Sequence, residues 1–122
     1  IGFAAALKKG GTNTGKTKQD GVPVTLKVSS SGRTVKVSAF SPPMFCEGGG
    51  AGTKQITGPA KVSASGSFTA RISYEFAPEH KIVAKLTIMG KFAGNKVKGT
   101  TKSEFLLAKQ CDGTTTFAAA TR

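Results

Sequence analysis

The chain predicts an all-β domain, an antiparallel β-sandwich or flattened β-barrel of about seven to nine strands. Three observations predict it. Apolar and polar residues alternate at period two along most of the chain. Glycine-rich turns separate the alternating runs at intervals of roughly 8–12 residues. No run carries apolar residues at spacings of three and four between capping residues, so helix is scarce.

Taken in order, Phe3 to Lys9 is alanine-rich and is the one stretch with helix propensity. Residues 1–13 read as an N-terminal extension or a first strand. Val22, Val24, Leu26 and Val28 alternate with Pro23, Thr25 and Lys27. After the turn Ser30-Ser31-Gly32, Val35 and Val37 alternate with Thr34, Lys36 and Ser38. Ser41 to Thr57, holding Pro42, Pro43 and Gly48 to Gly50, reads as a long loop. Phe68, Ala70, Ile72, Tyr74 and Phe76 form the clearest strand, separated by Thr69, Arg71, Ser73 and Glu75. Ile82, Ala84, Leu86, Ile88 and Phe92 share one parity, with Lys85, Thr87 and Lys91 on the other. Gly94-Asn95 suits a two-residue hairpin turn because both residues tolerate positive φ. It returns the chain into Lys96 to Leu107, where Val97, Phe105 and Leu107 share parity. A last strand follows Cys111 and Asp112-Gly113, from Thr114 to Ala118. Alternation looks the same in a sandwich and a barrel, so both stay open. With no tandem repeat or linker, residues 1–122 read as a single β domain.

Composition agrees with a small, turn-rich fold. Leu, Ile, Val and Phe together make 26 of 122 residues, about 21%, just above the roughly 20% line below which highly charged chains stay disordered. No window approaches the roughly 18 consecutive apolar residues of a membrane-spanning helix, and no heptad pattern supports a coiled coil. Eighteen lysines and arginines against six acids leave a formal net charge of +12.

Cys46 and Cys111 are the only cysteines, and there is one histidine, too few for a Cys/His zinc site. Two readings remain: inert buried thiols, or one disulfide closing a loop of 65 positions (111 − 46). Closing such a loop contributes about 4 kcal/mol on chain-entropy reasoning, a large gain for a thin core. A disulfide places the domain in a secreted or extracytoplasmic, cell-envelope setting. Ile1 to Leu7 reads as the trailing edge of a signal peptide or a short first strand, and is too short for a complete signal.

Gly10-Gly11-Thr12-Asn13-Thr14-Gly15-Lys16-Thr17 satisfies the phosphate-loop pattern GxxxxGK[ST]. That chemistry needs a strand before the loop and a helix after it, so that backbone N–H groups converge on phosphate. Gly21 and Pro23 follow too soon for a helix, so the match is read as chance and the segment as a turn entering an edge strand. The acids Asp20, Glu47, Glu75, Glu79, Glu104 and Asp112 are isolated among lysines, and His80 sits in the turn Ala77-Pro78-Glu79-His80-Lys81. Neither an acid pair nor Cys46 with His80 makes a convincing catalytic set. No catalytic residue, no metal ligand and no cofactor is therefore assigned, and the protein is read as non-enzymatic.

Positive charge is the feature able to carry function. Lys27, Lys36, Arg71, Lys85 and Lys91 lie at the parity opposite to the apolar residues and are joined by Lys96, Lys98 and Lys102 near one hairpin. A face studded this way attracts polyanions by long-range fields and counterion release. Candidate partners are wall polymers, acidic polysaccharide or nucleic acid. Lysines also confer solubility and keep sheet edges from pairing. Base stacking needs exposed aromatics, yet there is no tryptophan and most phenylalanines fall at core parity. Gly90-Lys91-Phe92-Ala93-Gly94 only superficially echoes an RNA-recognition signature.

The order of landmarks resembles a family of small secreted β domains of unknown function in actinobacterial envelope and hypothetical proteins. The matching residues are Gly15-Lys16-Thr17-Lys18-Gln19, Val24 to Ser29, Gly32-Arg33, Cys46, Gly66-Ser67-Phe68, Gly90-Lys91-Phe92, Gly99-Thr100, Cys111-Asp112-Gly113 and Phe117-Ala118-Ala119. The chain departs at Phe117, where the family often has tryptophan. The resemblance implies a secreted β domain, a Cys46–Cys111 bridge and an opening strand at Gly15-Lys16-Thr17. It transfers no catalytic or ligand residues. The expected function is a structural or adhesive envelope module that displays a cationic face, and the loop Glu47 to Thr53, to a partner. The alternatives are an OB-like nucleic-acid-binding barrel and a small-ligand-binding barrel.

Overall fold

A computed structural model describes residues 9–39, 45, 53–76, 81–106 and 109–121. The alternating runs become nine strands: β1 Thr12–Thr17, β2 Pro23–Val28, β3 Thr34–Ala39, β4 Thr53–Thr57, β5 Pro59–Lys61, β6 Ser67–Phe76, β7 Lys81–Ala93, β8 Lys96–Phe105 and β9 Gly113–Thr121. They form one sheet in the order β4-β6-β7-β8-β9-β1-β2-β3-β5, antiparallel throughout.

That order is a meander, and it curls into a nearly closed barrel. Only Gly58 separates β4 from β5, yet β4 pairs with β6 while β5 pairs with β3. One broken strand thus spans both free edges; with β4 and β5 counted as that one strand, every sheet neighbour is a neighbour in sequence except β9–β1, which joins the last strand to the first. Side chains complete the seam. Thr57 Oγ1 donates to the Val37 carbonyl at 2.7 Å, Tyr74 Oη donates to the Ala39 carbonyl at 3.0 Å, and Gln55 Nε2 donates to that same carbonyl. Closure of this kind hides the unpaired backbone that an open sheet exposes.

Inward residues fill the interior in cross-strand rows. Phe68, Gly90, Gly99 and Phe117 are successive partners on β6 to β9. A Cβ on Gly90 would lie 2.7 Å from the Phe68 ring, and one on Gly99 would lie 2.7 Å from the Phe117 ring. The two central glycines therefore make room for two phenylalanines, the large-and-small alternation that a small barrel needs. Phe92 packs obliquely on Phe68, with ring centroids 5.5 Å apart. Gly90 and Phe92, the residues of the RNA-recognition echo, thus belong to core packing. Around them lie buried Val24, Leu26, Val37, Ile72, Leu86, Ile88 and Val97.

Several expectations need correcting. β1 is a central strand, paired with β9 and β2, and not an edge strand. The Ser41–Thr57 region is not all loop, because Thr53–Thr57 is β4. Short β5 carries one buried residue, Ala60, too few for alternation to register. Ile82 is 39% exposed although Ala84, Leu86 and Ile88 are buried. The reason is a register shift: Tyr74 faces Ala84 but Glu75 faces Ile82, so Val83 is the extra residue of a bulge and parity flips before it. The last strand runs on to Thr121. The Gly94-Asn95 turn forms as expected, with Gly94 at φ 64°. Phe3 to Leu7, Cys46 to Ala51, Leu107 and the turn holding Glu79 and His80 lie outside the described residues.

Candidate anion-binding face

All eight cations expected on the outer surface, Lys27, Lys36, Arg71, Lys85, Lys91, Lys96, Lys98 and Lys102, are exposed. Strand register decides which of them meet. Lys91 on β7 faces Lys98 on β8, Lys98 faces Ala118 on β9, and Ala118 faces Lys16 on β1. One row over, Lys96 faces Ala120, which faces Thr14. On the other side Thr100 faces Thr116, whose carbonyl accepts the Lys18 N–H at 2.8 Å. Lys102 faces Thr114, and Arg71 stands beyond Thr87 in that row.

The outer side of β9 thus carries only Thr114, Thr116, Ala118 and Ala120, and cations rise on both flanks of it. Lys96, Lys98 and Lys102 stand on β8, with Lys16 and Lys18 on and just after β1. Neighbouring strands lie about 4.8 Å apart, so the two walls are separated by about 10 Å at the backbone. Lys96 and Lys98 on one wall, and Lys16 and Lys18 on the other, are two residues or about 6.7 Å apart, and Lys102 follows Lys98 after a further four residues. Two adjoining shallow depressions follow this trough, one of about 440 Å³ between Lys16, Lys18 and Lys98 and one of about 360 Å³ between Thr14, Lys96 and Ala118.

The other expected cations are placed elsewhere. Lys27 and Lys36 face one another on β2 and β3, and Lys85 is register partner to Glu104. Lys16 and Lys18 were missed because they sit in the segment that matches a phosphate loop. That segment is extended and ladder-bonded on both sides, and no helix follows it. Gly15 serves close packing there, since a Cβ would run into the Ala118 carbonyl. The parity of Lys16 and Lys18 with Thr12 and Thr14 was the signal in the sequence that marks both as outward.

Acidic chemistry is modest. Glu104 and Asp112 line one open depression of about 310 Å³. Asp112 Oδ1 accepts the Phe105 N–H at 2.6 Å, which ties the carboxylate to the β8–β9 connection. Among the described residues no group of three His, Cys, Asp or Glu is placed to hold a metal, and no helix is long and apolar enough to cross a membrane. Cys111 is buried in the 3₁₀ turn Lys109–Cys111, and its carbonyl accepts the Phe45 N–H at 3.1 Å. Cys46 and the loop from Glu47 lie outside the described residues.

The described aromatics Phe68, Tyr74, Phe92 and Phe117 are buried, and Phe45 and Phe105 are half-buried. None of these six is therefore a free stacking platform beside the trough. No family model, curated protein or solved structure matches the chain.

Proposed function

We propose that this domain is a non-enzymatic, secreted or cell-envelope binding module that engages an extended polyanion along the outer face of β9. The observation that carries the reading is the pair of lysine walls: β8 and β1 come from opposite halves of the chain, and both turn cations toward the same uncharged strand. Short side chains on β9 let a linear polymer lie close to both walls, and displaced counterions supply the driving force. Buried aromatics favour an acidic polysaccharide or wall polymer over single-stranded nucleic acid, whose binding draws on base stacking. The meander of nine strands also differs from the five-stranded Greek key of an OB barrel.

Retention on immobilised heparin tests the proposal. It should fall steeply between low and moderate salt, and Lys16→Gln with Lys98→Gln should elute earlier than Lys27→Gln with Lys36→Gln at equal net charge. Equal elution of the two pairs, or no retention, removes the trough from the account. One observation favours a small-ligand barrel as the second reading. Thr101 Oγ1 and Ser103 Oγ are buried on the inner side of β8 without a hydrogen-bond partner.

A further inference from the structure

A second concentration of positive charge lies at one end of the barrel, away from the β9 trough. Three chain segments meet there, each held by backbone hydrogen bonds. Gly10 N–H donates to the Ser29 carbonyl at 3.0 Å, which sets Lys9 beside the β2–β3 turn. Gly32, at φ 75°, closes that turn with its N–H on the Ser29 carbonyl at 3.0 Å and leads into Arg33. Val62 N–H donates to the Arg33 carbonyl at 2.8 Å, and Lys61 pairs with Thr34, which brings the start of the β5–β6 connection alongside. A pocket of about 590 Å³ opens between the three, lined by Lys9, Arg33 and Lys61 together with Ser31 and Ser63, and among the described residues no acid lines it.

Two features separate this pocket from scattered surface lysines. Each cation is delivered by a different segment whose main chain is fixed, so the site is assembled before any ligand arrives. Each lining serine already accepts a main-chain N–H, Ser31 Oγ from Arg33 at 3.3 Å and Ser63 Oγ from Ser67 at 3.1 Å. Each also shares a hydrogen bond with a second serine hydroxyl, Ser31 Oγ with Ser29 Oγ at 3.1 Å and Ser63 Oγ with Ser65 Oγ at 2.9 Å, so a rotation of the hydroxyl turns its proton to a ligand. Three cations with hydroxyls beside them favour a negatively charged ligand, and Arg33 adds the planar fork suited to two oxygens of one group. Gathering like charges without a counter-charge is unfavourable in the empty protein, and a multiply charged oxyanion relieves it.

We infer that this pocket is a discrete anion site for a phosphoryl or sulfo group borne on a small organic body. Its volume lies in the range of small-molecule sites and exceeds the space a bare oxyanion needs. The inference does not depend on the trough, since none of Lys9, Arg33 and Lys61 lies on that face.

The test is a titration of the full chain with inorganic pyrophosphate at ~0.15 M salt, followed by amide chemical shifts. Saturable one-to-one shifts are expected at residues 9–10, 31–34 and 61–64. Arg33→Gln with Lys61→Gln should weaken binding roughly tenfold or more, while Lys16→Gln with Lys98→Gln should change it by less than about twofold. Both replaced side chains of the pocket are exposed, so the amide spectrum away from the pocket should stay intact and report that the variant is folded. A sugar monophosphate against the corresponding sugar monosulfate then distinguishes the two sources of the group. Shifts spread over lysines throughout the surface without saturation, equal weakening by both double variants, or no binding overturns the inference. Heparin retention that survives the pocket variant but fails in the trough variant separates the fate of the two sites.

Discussion

Tyr74 is the only tyrosine in the chain, and there is no tryptophan, so its ionisation is visible in near-ultraviolet absorbance without interference. Its ring is 1% exposed and its hydroxyl is held on the Ala39 carbonyl at the seam. Burial pushes the phenol up to about 12, against which the Gln55 amide pulls it slightly down. The folded phenol titrates above its unfolded value of 10.0, so the neutral form stabilises the fold fully below pH 10. That contribution is lost as pH climbs from 10 through about 12. A gap of two units corresponds to at most about 2.7 kcal/mol. Lysines lose charge over the same range, so the quantity to measure is the difference from Tyr74→Phe. The variant should be about 1 kcal/mol less stable at neutral pH, for the lost hydrogen bond, and its loss of stability above pH 10 should be smaller than that of the parent. Denaturant melts from pH 8 to 11.5 give the comparison, and the absorbance titration gives the pKa directly. A phenol that titrates near 10 while circular dichroism still reports the folded barrel refutes the reasoning, as does an alkaline profile that Tyr74→Phe leaves unchanged.

Three further outcomes are expected. Gly99→Ala should destabilise the barrel by about 2 kcal/mol or more, because its Cβ meets the Phe117 ring and the backbone of β7; a denaturation midpoint within error of the parent means the row is looser than described. Thr101→Val should raise stability by about 1 kcal/mol, since it removes a buried hydroxyl without a partner. A drop instead shows that the hydroxyl is bonded to water or to a ligand in the barrel. Cys46 and Cys111, proposed to be bridged, should give a mass two hydrogens lower without reductant than with it, and Cys111→Ser should cost about 2–4 kcal/mol. Unchanged mass ends that proposal.

The legible part of the site is the outwardness of its lysines. Lys96, Lys98 and Lys102 stand opposite Val97 in parity, and an extended backbone sends successive side chains to opposite faces whatever surrounds it. The illegible part is their company. Lys16 and Lys98 are 82 positions apart (98 − 16) and meet only because β1 and β8 both pair with β9. Lys9, Arg33 and Lys61 converge on one pocket through main-chain hydrogen bonds that any residue could make. Ile82 was misplaced for the same kind of reason, since the bulge at Val83 belongs to the pairing of β6 with β7 and not to either strand alone.

By itself the sequence determined sidedness along the unbroken strands: which residues face in, which face out, most of the turns, and that the outer surface is cationic. These are properties of a single extended segment and its own composition. Only the tertiary structure decided that the sheet closes through the broken strand β4–β5, and that two groups of cations assemble from distant segments. The physical reason is that strand pairing is made by backbone N–H and C=O groups common to nearly every residue, so a strand carries little mark of its partner until the whole interior is filled.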